Sequence, residues 1–373
     1  MKNKLLALAV LSSIAGAASA QSNVTFYGIV DLGIDYDNGK SRNATTGSTS
    51  KWTMASGQTS GSRFGFKGSE DLGGGLAAIF TLENGFNADD GSQGYGGRIF
   101  GRQSWVGLSG GFGAVKFGRQ YSTTYLALSA IDPFSINTAG DAQRVYGYGL
   151  GKSDPISRSD NTVTYLTPDF SGFTAQAGYG FGEQAGAFNK SSTKFVGVNY
   201  VNGPLTALAT YQNTNGVAFA PANAGTGAAA TPTSALDAIV IPSGLGTSTT
   251  TSATVENSFI GATYDFGVAK MHAGFGNTKA QAVGDLKVRN YLVGATVPLG
   301  AGNVLTSWNR TNVTDVVGGV SNQYAVGYVY PLSKRTTLYT IGALTKNGSG
   351  VRMNAWANGQ NDREFQFGMR HMF

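Results

Sequence analysis

The chain of 373 residues has no cysteine, two histidines and few charges: 13% of it is Asp, Glu, Lys or Arg, against roughly 25% in ordinary soluble domains. Without cysteine, a disulfide framework and Cys-ligated zinc or iron–sulfur sites are excluded. Two histidines, His272 and His371, are too few for a His-rich metal centre. Scarce charge with plentiful aromatics (21 Phe and 17 Tyr) argues against disorder, because disordered chains are charged and aromatic-poor. No run beyond the first twenty residues approaches 18 consecutive apolar positions, so no membrane-spanning helix is expected there.

What is abundant is glycine, 55 residues. Each glycine inside a helix is less favourable than alanine by about 1 kcal/mol, so a mostly helical protein is disfavoured and a β-rich one is left. The start, Met1-Lys-Asn-Lys4, is basic and precedes fourteen uncharged residues from Leu5 to Ala18. Ala18-Ser-Ala20 then supplies a small-residue cleavage pattern, so residues 1–20 read as a signal peptide and the mature chain as 21–373. Losing Lys2 and Lys4 takes the formal charge from +6 to +4, too mild for a nucleic-acid partner.

The rest alternates with a period of two. In Ser62–Gly68, Phe64 and Phe66 share one face, with Arg63, Gly65 and Lys67 on the other. In the last ten residues, Phe365, Phe367, Met369, His371 and Phe373 oppose Glu364, Gln366, Gly368, Arg370 and Met372. Between 157 and 166, Val163 and Tyr165 oppose Arg158, Asp160, Thr162 and Thr164. Seven short turns, such as 70–75, 109–113 and 298–302, interleave with eight longer stretches. The latter run over 37–61, 86–97, 120–157, 182–193, 213–256, 279–286, 312–322 and 346–362. Short connections on one rim and long ones on the other describe an all-β fold, a 16-stranded antiparallel transmembrane β-barrel. A closed sheet pairs every backbone group without exposing an edge to lipid. Aromatics near strand ends (Phe26, Tyr27, Tyr179, Tyr200, Phe259, Tyr291 and Tyr339) are expected in interfacial girdles. The Ala/Thr/Gly-rich stretch 218–254 reads as a long extracellular loop.

Sixteen strands enclose water. Strand parity turns Arg63, Lys67, Arg102 and Arg158 inward, together with Glu83. The 120–157 stretch mixes Asp132, Asp141, Arg144, Lys152 and Asp154 with apolar residues such as Leu126, Leu128, Ile131, Pro133, Phe134 and Ile136. That apolar content suits a third loop folded against the inside of the wall. Its acidic groups then face a basic wall across the narrowest part of the pore, giving a transverse field that sorts solutes by charge. His272 falls in the lumen and His371 toward lipid, so a catalytic cluster is not expected, and neither is a cofactor.

Several segments carry a resemblance: VTFYGIVDLGIDY at 24–36, SRFGFKGSEDLGGGLAAIFTLENGF at 62–86, GRIFGRQSWVGLSGGFGAVKFGRQY at 97–121, AIDPF at 130–134 and the terminal Phe373. The sequence resembles the trimeric general porins of Gram-negative outer membranes, in their beta-proteobacterial branch. The resemblance implies a homotrimer with an infolded third loop and passive diffusion of small hydrophilic solutes and ions, and no enzymatic activity. It also implies a location among outer-membrane lipids including lipopolysaccharide, a basic ladder at Arg63, Arg102 and Arg158, and recognition of Phe373 by the barrel-assembly machinery. Where many enteric porins place a Glu after a Pro, this chain reads Phe134-Ser-Ile-Asn-Thr138. The acidic side of the constriction is thinner there, and modest anion selectivity is the expectation. A substrate-specific porin for a small anionic solute and an outer-membrane barrel hydrolase are the alternatives.

Overall fold

The computed structural model describes residues 23–39, 49–146, 157–219, 251–281, 286–314, 319–355 and 357–373. The expected leader 1–20, Lys152, Asp154 and most of the stretch 218–254 lie outside the described residues. The strands run in order: β1 (Asn23–Asp37), β2 (Lys51–Ser56), β3 (Arg63–Gly73), β4 (Leu76–Gly85), β5 (Gln103–Gly110), β6 (Gly113–Tyr121), β7 (Arg158–Leu166), β8 (Phe173–Gly180) and β9 (Thr193–Asn202). They continue with β10 (Leu205–Phe219), β11 (Thr251–Asp265), β12 (Lys270–Gln281), β13 (Leu286–Leu299), β14 (Gly302–Thr314), β15 (Gly319–Pro331), β16 (Thr336–Asn347) and β17 (Asp362–Met372). From β3 onward each strand pairs antiparallel with the next, and β17 returns to pair with β1, closing the ring.

Seventeen segments make sixteen barrel positions. Strand β1 pairs with β2 along Leu32–Asp37 and with β3 along Asn23–Ile29, so β2 and β3 are two halves of one position. The expected loop 37–61 therefore contains wall at Lys51–Ser56, where Trp52 and Met54 alternate outward. A buried carboxylate holds the interruption between the halves. Asp31 on β1 accepts from the backbone N–H groups of Thr59 at 2.8 Å and Ser60 at 2.7 Å, and from the Tyr339 hydroxyl at 2.6 Å. With the Thr59 hydroxyl, which also donates, four donors satisfy a fully buried carboxyl group whose burial would otherwise be strongly unfavourable.

The parity expectations hold along β3 and β17. Phe365, Phe367 and Met369 are exposed on the outside, while Glu364 and Gln366 are buried inside. Phe26, Tyr179, Tyr200 and Tyr291 also lie on the outer face, but three other aromatics do not. Tyr27 follows Phe26 and must face the opposite way; its hydroxyl donates to Glu83 inside the barrel at 2.9 Å. Phe259 and Tyr339 are 3% and 4% exposed and lie beneath the third long loop. These three serve the interior, because position near a strand end does not override the two-residue period. Strand β7 departs from parity too. A bulge at Asp160–Asn161, with Asn161 at φ +52°, puts an extra residue opposite Arg119.

Terminal Phe373 completes the seam. Its N–H donates to the Gly28 carbonyl at 3.1 Å and its carbonyl accepts from the Gly28 N–H at 3.0 Å. The ring lies over Gly28, 5.7 Å from the Phe26 ring, where any Cβ on residue 28 would overlap it. Gly28→Val should push the ring off the seam and destabilise the barrel by about 1–3 kcal/mol. The readout is a lower temperature for loss of the fast-migrating folded band on electrophoresis. An unchanged temperature would remove this contact from the stability of the seam.

Candidate functional site: the pore constriction

The third long loop folds inward, as expected. It opens with helix α1 (Thr123–Ile131), capped by Ser122, whose hydroxyl accepts from the Tyr125 N–H at 3.2 Å. Leu128, Ile131, Ile136, Val145 and Tyr146 are each at most 3% exposed and pack on Leu208, Phe259, Leu292 and Val313 of the wall. Phe134 packs separately on Tyr339 and Ile341. Polar contacts fix the register: the wall side chains Asn290, Gln323 and Ser307 donate to the loop carbonyls of Val145, Ala139 and Gly140 at 3.0, 3.0 and 3.2 Å. His272 Nδ1 bonds the Ile131 carbonyl at 2.7 Å. A carbonyl can only accept, so the proton is on Nδ1. Tyr146 rests where Gly276 leaves room for its hydroxyl. The loop is thus held against one side of the barrel, and a gap remains on the other.

That gap is a cavity of about 400 Å³. Tyr125, Asn137 and Gln143 line its loop side, and Asn87, Gln93, Tyr95 and Arg158 are among the residues opposite. Arg158 is its one charged lining residue among those described. Behind the cavity Arg158, Arg102 and Arg63, the arginines expected in the ladder, lie close together around tyrosines. Arg158 Nε donates to the Arg102 carbonyl at 3.1 Å and Nη2 to the Tyr121 hydroxyl at 3.1 Å. Its guanidinium carbon lies 4.4 Å from the Tyr121 ring centroid and 4.6 Å from that of Tyr95, within cation–π range. Tyr125 stacks on Tyr121 at 4.9 Å. Burial and its neighbour Tyr121 push the Tyr125 hydroxyl up to about 12, so it stays a neutral π surface.

Arg102 is also buried, and it is paired. Its Nε donates to Glu83 at 2.7 Å, and Nη1 and Nη2 to the hydroxyls of Tyr95 and Tyr121 at 2.6 and 2.7 Å. Arg63 lies 4.0 Å from the same carboxylate. Among the described residues, Arg102 and Arg63 share the one Glu83 carboxylate. Lys67 faces inward but stands apart, exposed on the periplasmic side of this group with its Nζ 5.5 Å from the Tyr27 ring centroid.

Asp132 and Asp141 do not form the acidic half of the expected field, and Asp154 lies outside the described residues. Asp132 and Asp141 are each 3% exposed and turned into the loop. The Asp132 carboxylate accepts from the N–H groups of Phe134, Ile136 and Ala142 at 3.0, 3.2 and 2.8 Å, bracing a turn in which Ser135 and Ile136 hold positive φ. Burial, then the charge of Asp141, push the Asp132 carboxyl up to about 7. Asp132 shapes the loop, because a short side chain just past a helix end meets nearby backbone donors before it can reach the lumen.

Tyr95, Tyr121 and Tyr125 escaped the sequence reading, as did the ion pairs of Asp160 with Arg98 at 2.8 Å and Arg119 at 2.6 Å. The bulge hid Arg119. The histidines are on opposite faces, with His371 Nδ1 outside at 2.9 Å from Thr336.

Residues 7–350 match the family model described as Gram-negative porin. The chain is 36% identical to an outer membrane porin protein of Bordetella pertussis over 93% of this chain and 95% of that one. It is 34% identical to outer membrane porin protein 32 of Delftia acidovorans over the full length of both. The solved anion-selective porin from Comamonas acidovorans superposes with a TM-score of 0.75 at 32% identity, covering 95% of this chain and all of that one. A closed sixteen-position barrel, an infolded loop that narrows it and these matches place the chain in the outer membrane as a passive channel: it belongs to the Gram-negative porins.

Proposed function

We propose that this porin passes small hydrophilic anions in preference to cations. One observation carries the reading. Among the described residues, the gap left by the loop is lined by a single charged residue, Arg158, while Asp132 is engaged within the loop. An ion crossing there meets a one-sided positive potential in a low-dielectric wall, which raises local anion concentration. Reversal potential across a planar bilayer under a KCl gradient tests it, with chloride expected to outpace potassium. A cation preference would overturn the reading.

The amides of Asn87, Gln93, Asn137 and Gln143 around Arg158 favour a narrower second reading, a saturable site for one small anionic solute. Concentration-dependent current block by that solute would separate it from general diffusion. The working unit in this proposal is residues 21–373 after removal of leader 1–20, assembled as a homotrimer. The exposed Trp52, Met54, Phe66 and Val106 on β2, β3 and β5 supply a broad apolar exterior for that contact. Phe373 serves as the signal for the barrel-assembly machinery, and lipopolysaccharide surrounds the remaining wall.

A further inference from the structure

Between the third loop and the wall lies a second cavity, of about 170 Å³, that shares no lining residue with the gap at Arg158. Pro133, Phe134, Ser135 and Thr138 form its loop side, and most of its wall residues lie toward the periplasmic ends of β13–β17. Arg370 is its one charged lining residue among those described. Parity turns Arg370 inward, opposite Asp31 in the β1–β17 register. The Asp31 carboxylate is taken up by Thr59, Ser60 and Tyr339. Arg370 Nη1 donates to the Ser60 hydroxyl at 3.2 Å, while its Nε is buried with no hydrogen-bond partner. A guanidinium with an unfilled Nε edge matches the two oxygens of a carboxylate, which that edge binds in a fork. The hydroxyls of Ser135 on the loop and Thr337 on the wall line the same cavity and make no hydrogen bond among the described residues.

The remainder of the lining is largely apolar, with Pro133 and Phe134 from the loop facing Leu305, Val329 and Ile341 of the wall. An inorganic anion would leave that surface uncovered, whereas an alkyl chain removes it from water. Asp31 beside Arg370 disfavours a second negative charge, so a monoanion fits better than a dianion. At about 30 Å³ per water-sized group, the volume holds about six non-hydrogen atoms, the size of a four-carbon carboxylate.

We propose that this cavity binds a short aliphatic monocarboxylate and that its occupancy holds the third loop closed. The carboxylate takes Arg370, and the alkyl chain lies between Pro133 and the Leu305–Val329 wall. One side of the site is loop and the other is wall, so the ligand binds the packed loop and not a loosened one. Its binding therefore lowers the open fraction by the factor 1 + [L]/Kd, about tenfold at ten times the Kd. The site is separate from the ion preference proposed above, which is carried by Arg158.

The test uses the folded full-length porin with sodium butyrate as probe, 1-butanol as its uncharged counterpart and inorganic phosphate as a compact anion. Titration calorimetry in detergent reads binding. Single-channel recording at constant ionic strength reads the loop, as brief openings above the main conductance. The wild type should bind butyrate, and the other two probes about tenfold more weakly or less. Arg370→Gln should lose about tenfold in butyrate affinity; it leaves the four donors to Asp31 in place, so the barrel should fold. Val329→Phe, which fills the apolar end and leaves the cation, should lose a similar factor. At ten times the wild-type Kd, butyrate should reduce openings about tenfold in the wild type and about twofold in either variant. Folded-band migration on electrophoresis verifies each variant before binding is read.

Equal butyrate affinity in the wild type and either folded variant overturns the site: in Arg370→Gln because the cation is then unused, in Val329→Phe because the cavity is. Inorganic phosphate bound as tightly as butyrate would make Arg370 a general anion contact, and 1-butanol bound as tightly would make the cavity a plain apolar pocket; either overturns the proposal. Butyrate binding that leaves the openings of the wild type unchanged overturns the closure of the loop.

Discussion

Arg158→Gln is expected to lower the anion-over-cation permeability ratio about five- to tenfold, corresponding to loss of one unit charge a few ångströms from the ion path in a partly aqueous gap. Arg158 is the charged residue among the described lining of the cavity, so its removal strips the potential where the path is narrowest. Glutamine keeps a planar amide that can reach the Tyr121 hydroxyl, so the wall is expected to survive. Arg158→Lys separates charge from shape: it keeps the unit charge but loses the flat surface held by Tyr95 and Tyr121. It should retain most of the selectivity. Reversal potentials of the three proteins decide the matter, and an unchanged ratio in the glutamine variant removes Arg158 from the selectivity. Arg102 is a poorer probe. A glutamate there would set two carboxylates together in the place of the 2.7 Å pair with Glu83 and leave buried like charges unbalanced.

The barrel was legible because its signals are local. Alternation at Phe64/Phe66 and along 365–373 needs only the two-residue period, and short turns against long loops need only spacing. The basic ladder was legible for the same reason, since Arg63 and Arg102 stand next to or within regular strands. What escaped depends on distant partners. Asp31 reads as one more polar residue in a strand, yet it organises the break between β2 and β3 with a hydroxyl 308 residues away on Tyr339. Asp132 and Asp141 are charged residues on a loop known to enter the lumen, and facing the water was the simplest expectation. The burial of Asp132 follows from backbone N–H groups that a tight turn brings together, which composition does not reveal. Tyr27 and Tyr339 were placed by proximity to strand ends, and parity, applied to them as it was to the arginines, would have turned them inward.

Asp132→Ala separates the loop-bracing role from a selectivity role. The variant leaves the N–H groups of Phe134, Ile136 and Ala142 without their acceptor, and each buried unsatisfied donor costs about 1–3 kcal/mol, roughly 3–9 kcal/mol together at most. The wall keeps all its ladder bonds, so the penalty falls on the loop. The expected result is a folded barrel with a loosened third loop: raised and noisier single-channel conductance, faster proteolysis within 132–146, and little change in the sign of the selectivity. The pH dependence carries a second signature. The Asp132 carboxyl, pushed up to about 7 by burial and by Asp141, binds its proton more readily in the packed loop than in a loosened one. Its protonation therefore favours packing, fully below the ordinary carboxylate range near 4, and that contribution fades as pH rises through about 7. Opening in the native protein should increase across that window, and in Asp132→Ala the variation should largely disappear. A native-like conductance and pH profile in the variant would mean that the loop is held by its apolar contacts alone. A reversal of ion preference with conductance unchanged would return Asp132 to the lumen.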